Sequence, residues 1–195
     1  IYQWTWGFDV SDFDIAREHG QEDVLALLVS RAGPRERLLD ALWSQDLAEA
    51  DAVLSENAGF VGRLDAAALN QVADAARNNQ AGVVRAMLDR GFPITATSQH
   101  GATPLHWAAY HGNSDLVADL LARGAPVEVK DADYDGPPLG WAIHGAPDGW
   151  NGISSDDHAG CVAALLDAGA PCSPAVFPTG IDAIDAVLRS RLFAS

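Results

Sequence analysis

Residues 100–140 read HGATPLHWAAYHGNSDLVADLLARGAPVEVKDADYDGPPLG. Thr103 and Pro104 are a helix start: a hydroxyl residue to accept a free backbone N–H, then a proline in the first turn. The short apolar segment LHWAAYH follows and breaks at Gly112-Asn113. A longer apolar segment, DLVADLLAR, stops at Gly124 and Pro126, and a polar stretch leads to a second Pro-Leu start at Pro138-Leu139. Glycine just past a helix and proline beyond it are stop signals. The stretch is therefore one helix–turn–helix–loop unit, and one such pair cannot bury its apolar face without neighbouring copies.

Gly91-Phe92-Pro93, Gly124-Ala125-Pro126 and Gly169-Ala170-Pro171 each close an apolar segment, at separations of 33 and 45 residues. Leu54, Leu88, Leu121 and Leu166 hold equivalent places in the longer helix, at 34, 33 and 45. Ala41, Ala75, Ala108 and Ala142 mark the first helix at 34, 33 and 34. The 45 therefore reflects an insertion of about eleven residues between the two helices of one copy.

These residues resemble the ankyrin repeat. The family's pattern of Gly-x-Thr-Pro-Leu-His-x-Ala-Ala, Gly, an apolar Val/Leu helix and Gly-Ala is nearly complete at Gly101–Ala125, with partial matches over most of the chain. The resemblance implies an all-α solenoid of about five stacked helix–turn–helix units with hairpin-like loops. The whole of 1–195 forms a single domain in this reading. Its units are roughly 9–33, 34–66, 67–99, 100–133 and 134–172, with an insertion at 145–160 and a capping helix in 173–195.

Along the chain, Tyr2, Trp4, Trp6 and Phe8 are expected to cover the first unit's core edge. DFDIAREHG and EDVLALLVS form the first helix pair, the second helix turning Val24, Leu25, Leu27 and Leu28 to a broad apolar face. Gly33-Pro34 replaces the usual hairpin before the second unit. Near the end, Ile181, Ile184, Val187 and Leu188 give one apolar side to a helix whose other side is polar, as the end of a stack requires. Leu121 is expected in the core.

Composition limits the partners. A hydrophobic content of 48% suffices for a core, and the formal charge of −15 argues against nucleic acid and anionic membrane surfaces. No apolar run reaches bilayer-spanning length. The start at Ile1 instead of Met suggests a trimmed or processed fragment. Cys161 reads as a buried helix thiol and Cys172 as a loop thiol, without a disulfide framework. A reducing compartment, and the cytoplasm by default, is expected. One lysine beside abundant Ala and Gly suits a GC-rich bacterial gene.

By the resemblance, binding falls on the concave side made by first helices and hairpin tips. That places Trp43, Arg77, Asn78, Trp107, Tyr110, His111, Trp141 and His144 on the helices, His100 and Tyr134 at the tips, and Trp150 in the insertion. Trp, Tyr and Arg are the residue types of interface hot spots. The competing expectation is that the tryptophans pack between helices. DADYDG at 131–136 has the outline of a calcium loop, but Ala142 stands where the closing glutamate belongs, and Asp and Gly are ordinary turn residues. His106 of the Thr-Pro-Leu-His motif is expected, from the family, to hydrogen-bond between adjacent loops. Asp157 or Asp156 is a candidate cap for the helix after the insertion.

The resulting expectation is a protein–protein interaction module with another protein as partner. It is monomeric by default, without enzymatic activity, catalytic residues, cofactor or metal. The alternative is a regulatory or targeting segment of a larger protein. A small-ligand or enzymatic site around Trp141, His144, Trp150 and His158 ranks last, because no nucleophile elbow, zinc pattern or phosphate cradle accompanies it.

Overall fold

The computed structural model describes residues 12–148 and 157–192. Among them are twelve α-helices and no strand. They follow as α1 (Asp12–Glu18), α2 (Glu22–Arg31), α3 (Pro34–Trp43), α4 (Leu47–Glu56), α5 (Ala66–Leu69), α6 (Gln71–Arg77), α7 (Ala81–Asp89), α8 (Pro104–Tyr110), α9 (Ser114–Ala122), α10 (Pro138–Asp148), α11 (His158–Asp167) and α12 (Asp182–Leu192). The pairs α1–α2, α3–α4, α6–α7, α8–α9 and α10–α11 each pack together; α6, α8 and α10 pack side by side in a row, and α11 packs against α9 and α12. This is the stacked all-helical arrangement that the period implies.

Local chemistry sets the boundaries. Pro34, Pro104 and Pro138 open α3, α8 and α10, where a missing N–H costs nothing because the first turn has no intrahelical acceptor for it. Asp46, Asp65, Asn113 and Asp157 cap α4, α5, α9 and α11 through side-chain oxygens that accept the N–H of Glu49, Ala68, Leu116 and Gly160. Asp157 is thus the cap after the insertion. Along AALNQVADAAR (67–77) the helix is interrupted at Asn70, where α5 ends and α6 begins. At the other end of the repeat array α10 runs to Asp148, through the first four residues assigned to the insertion.

The small residues fall where close approach demands them. Ala41, Ala75, Ala108 and Ala142 are all buried, at no more than 2% exposure. In the second helices the core register differs from the sequence reading. Leu54, Leu88, Leu121 and Leu166 are equivalent but only partly buried, and the fully buried set lies one residue earlier, at Val53, Met87, Leu120 and Leu165. Adjacent helical residues point 100° apart, so both sets keep the same 34, 33 and 45 spacing, and period alone could not choose between them.

The first pair departs further. α2 has no buried residue, and Val24, Leu27 and Val29 are each more than two-fifths exposed. Among the described residues its apolar face is therefore not covered as the others are. Residues 1–11, with Tyr2, Trp4, Trp6 and Phe8, lie outside the described residues. The pair is tied on by Arg17, which donates two hydrogen bonds to Asp40 of α3 at 2.7 and 2.6 Å. At the other end α12 buries Ile184, Asp185 and Leu188 against the stack and shows a polar outer side. No helix among the described residues is long and apolar enough to cross a membrane.

Candidate protein-interaction surface

The row of first helices and the two loops ahead of them bring six of the eleven candidate residues into one aromatic run. Trp107 and Trp141 meet edge-to-face with centroids 4.9 Å apart. Tyr110 adjoins both, at 6.1 and 5.9 Å, and His111 stacks on Trp107 at 6.4 Å. At the loop side His100 lies 6.3 Å from either tryptophan and 5.3 Å from Tyr134. Offset and edge-on pairs at these separations contribute on the order of 0.5–1.5 kcal/mol each beyond burial.

Within that run the residues differ in role. Trp107 and Trp141 are only 8% and 9% exposed, so they form the floor, as the packing alternative had it. Each indole N–H is satisfied: Trp107 donates to the Ser98 hydroxyl at 2.8 Å and Trp141 to the Asp131 carboxylate at 2.9 Å. Ser98 and Asp131 occupy the same repeat position, 33 residues apart, ahead of tryptophans 34 apart. Sequence reasoning missed both acceptors, although this paired spacing carries the signal. Trp43 donates instead to Gln71 of the next unit at 2.9 Å.

The upper layer is Tyr110, His111, His100 and Tyr134. Tyr134 is the most open of them, at 69%. His111 holds the Arg77 carbonyl at 2.7 Å, which fixes its ring between units. Arg77 reaches the Gln99 side chain at 3.1 Å, so it belongs to the same face one unit earlier, with Asn78 beside it at the end of α6. His144 is exposed on α10. Trp150 lies outside the described residues.

The loop at 131–136 is built around one carboxylate. Asp131 is 4% exposed and accepts the N–H groups of Asp133, Tyr134 and Gly136 at 3.0, 2.7 and 3.0 Å, besides the Trp141 indole. Burial pushes its pKa upward, but the Trp141 indole and the three backbone donors outweigh that and hold it below the usual carboxylate range. The calcium-loop outline is accordingly a turn whose central oxygen atoms face N–H donors. Gly101 (φ +69°) lets the preceding loop approach it: a Cβ there would sit 2.7 Å from the Ala132 Cβ, and Ala132 N–H donates to the His100 carbonyl at 2.7 Å.

His106 ties this loop to α8. Its Nδ1 accepts the Thr103 N–H at 3.2 Å and lies 2.8 Å from the Thr103 hydroxyl, while its Nε2–H donates to the Gly136 carbonyl at 3.1 Å. It is fully buried, and burial lowers its pKa more than the Gly136 carbonyl, the Asp131 charge and the Val129 carbonyl raise it. A histidine whose folded pKa is depressed favours folding fully above its unfolded value, about 6.5, and loses that contribution as pH falls through the folded value. Between about pH 7.5 and pH 5.5 the urea midpoint of the wild type should therefore fall more than that of His106→Gln. Equal falls in the two proteins would remove His106 as the cause.

Among the described residues no three His, Cys, Asp or Glu side chains converge in a metal-binding group. Cys161 is buried in α11, and burial raises the pKa of the loop thiol Cys172.

The comparisons with known proteins agree with this architecture. A family model described as ankyrin repeats (3 copies) matches residues 70–131. An ankyrin repeat-containing protein of Schizosaccharomyces pombe is 36% identical over 63 residues, 32% of this chain and 30% of that protein. Palmitoyltransferase Hip14 of Drosophila melanogaster is 33% identical over 87 residues, 45% of this chain and 12% of its own length. The human palmitoyltransferase ZDHHC17 is 33% identical over 58 residues, 30% of this chain and 9% of its own. The chain thus spans less than a third of the length of each of these relatives. Ankyrin repeats are generally protein-interaction modules, typically without enzymatic activity. Residues 70–131, which carry α6 to α9, are thus similar to ankyrin repeats both in sequence and in their stacked helix pairs.

Proposed function

We propose that the chain, as one ankyrin-repeat domain over 1–195, is a protein-interaction module that binds its partner through the face carrying Arg77, His100, Tyr110, His111 and Tyr134. The observation that carries this reading is the continuous aromatic run over α8, α10 and their two loops, with a packed tryptophan floor beneath a partly open upper layer. Rigid aromatic groups that are already ordered lose little entropy when a partner covers them. A second reading, that the module serves a larger protein whose activity lies elsewhere, is supported by the matches to short portions of long palmitoyltransferases.

The test is retention from host lysate on the immobilised chain, compared with Arg77→Ala/Tyr110→Ala, after circular dichroism has established that both are folded. A protein held by the wild type and lost by the double variant is the expected result. Equal retention by both moves the contact off this face, and retention by neither counts against the module.

A further inference from the structure

We infer that the loop at 131–136 is a seat for an arginine side chain on a basic segment of the partner. The inference rests on the interaction reading and specifies the partner's chemistry. Tyr134 is the starting point. A tyrosine 69% exposed on a loop tip is unusual for a large apolar residue, and here it is held in place: its own N–H is fixed to Asp131, its ring lies 5.3 Å from His100 and 6.5 Å from Trp141. The ring face is therefore presented before any ligand arrives.

Its sequence neighbours are Asp133 and Asp135, with side chains 56% and 79% exposed. Asp133 meets His100 through one oxygen and Asp135 meets Lys130 through one oxygen, which leaves accepting lone pairs on both carboxylates. An open ring flanked in sequence by two carboxylates suits a planar cation, which can stack on the ring while its N–H groups turn to an acid beside it. A guanidinium does this better than an ammonium, whose charge is compact and strongly hydrated. An apolar partner group would instead strip water from both carboxylates with nothing in exchange.

The chain itself uses the same contact elsewhere. Arg63 lies over the Phe60 ring at 5.6 Å and Arg189 over the Phe177 ring at 5.4 Å. Among the described residues these are the arginine–ring contacts, so Tyr134 is the open ring to which the chain brings no guanidinium of its own. A formal charge of −15 further draws a basic segment to the molecule and repels an acidic one.

The experiment titrates the 15N-labelled chain with three blocked peptides, four Gly-Arg repeats, four Gly-Lys repeats and four Gly-citrulline repeats. It is run at physiological salt, where charges more than about 8 Å apart are largely screened. The Gly-Arg peptide is expected to shift the amides of 131–136 and His100, with the Gly-Lys peptide weaker and the citrulline peptide silent. Tyr134→Ala, which changes no charge, should weaken Gly-Arg binding about tenfold, as should Asp133→Asn/Asp135→Asn. Asp115→Asn/Asp182→Asn, which removes the same charge from exposed positions on α9 and α12, should leave it within about twofold. Binding of Gly-Arg that Tyr134→Ala leaves intact, or that the α9 and α12 variant weakens as much, overturns the seat. Equal affinity for Gly-Lys overturns the choice of arginine. The two readings fail separately: a lysate partner lost by Arg77→Ala/Tyr110→Ala but kept by Tyr134→Ala leaves the module standing and removes this inference.

Discussion

Leu120→Ala should lower the unfolding free energy by about 2–5 kcal/mol, the cost of a buried large-to-small change with its cavity. Leu120 is fully buried in α9, in register with Val53, Met87 and Leu165. Leu121, its neighbour, is packed on the core from the side and partly open. Leu121→Ala should therefore cost clearly less. Urea melts of the two variants followed by circular dichroism decide it, since both remove the same atoms from adjacent positions of one helix. If Leu121→Ala proved the costlier, the core register of the second helices would have to turn by one residue.

Gly145→Ala is the second large effect expected. Gly145 is buried in α10, and a Cβ there would meet the Tyr110 carbonyl oxygen well inside van der Waals contact, with the carbonyl carbon at 3.0 Å and His158 Cε1 at 3.1 Å. The obstacle is backbone, which cannot swing aside like the end of a side chain. Overpacking of this kind costs about 3 kcal/mol, the upper part of the usual range. Gly140→Ala in the same helix is the control: it is exposed, its nearest neighbour would be Pro137 Cδ at 3.7 Å, and alanine is the better helix former. That variant should gain up to about 1 kcal/mol. A pair of thermal melts in which Gly145→Ala matched Gly140→Ala would mean that α8 and α10 are not in backbone contact at this point.

The fold was legible because one unit states it completely. Thr103, Pro104, Gly112 and Gly124 mark starts and stops whose physical causes are local, and the alanine spacing repeats them where the signature is worn. What the sequence could not supply is rotation and depth. Leu120 and Leu121 are the same residue type at adjacent positions, and only the packed neighbours of α8 and α11 choose which one faces inward. For α2 the pattern of leucines and valines promised a buried face, yet burial needs a partner element, and pattern says nothing of whether one is there.

The candidate face divides in the same way. The tryptophans, tyrosines and histidines were found by position in the repeat, and their grouping follows from it. Their division into floor and upper layer did not, because it depends on the indole acceptors Ser98 and Asp131, which lie nine and ten residues before their donors in loops of otherwise ordinary composition. Asp131 reads as one of three acidic turn residues until its four donors are seen.

The side-chain bonds between neighbouring units have a consequence for the order in which the chain folds. His111 to Arg77, Asn113 to Asn79, Arg85 to Asp119 and Arg123 to Asp89 each join residues 34 apart. All four lie on the seam between the third and fourth units, each therefore closes a loop of the same modest length, and closure entropy rises only slowly with loop length. A chain whose contacts are this local has no distant pairing to wait for, so it is expected to fold quickly for its size. Growth can begin at whichever pair forms first and spread in both directions along the stack. The pair α8–α9, with its capped starts and buried histidine, is the natural place for it to begin.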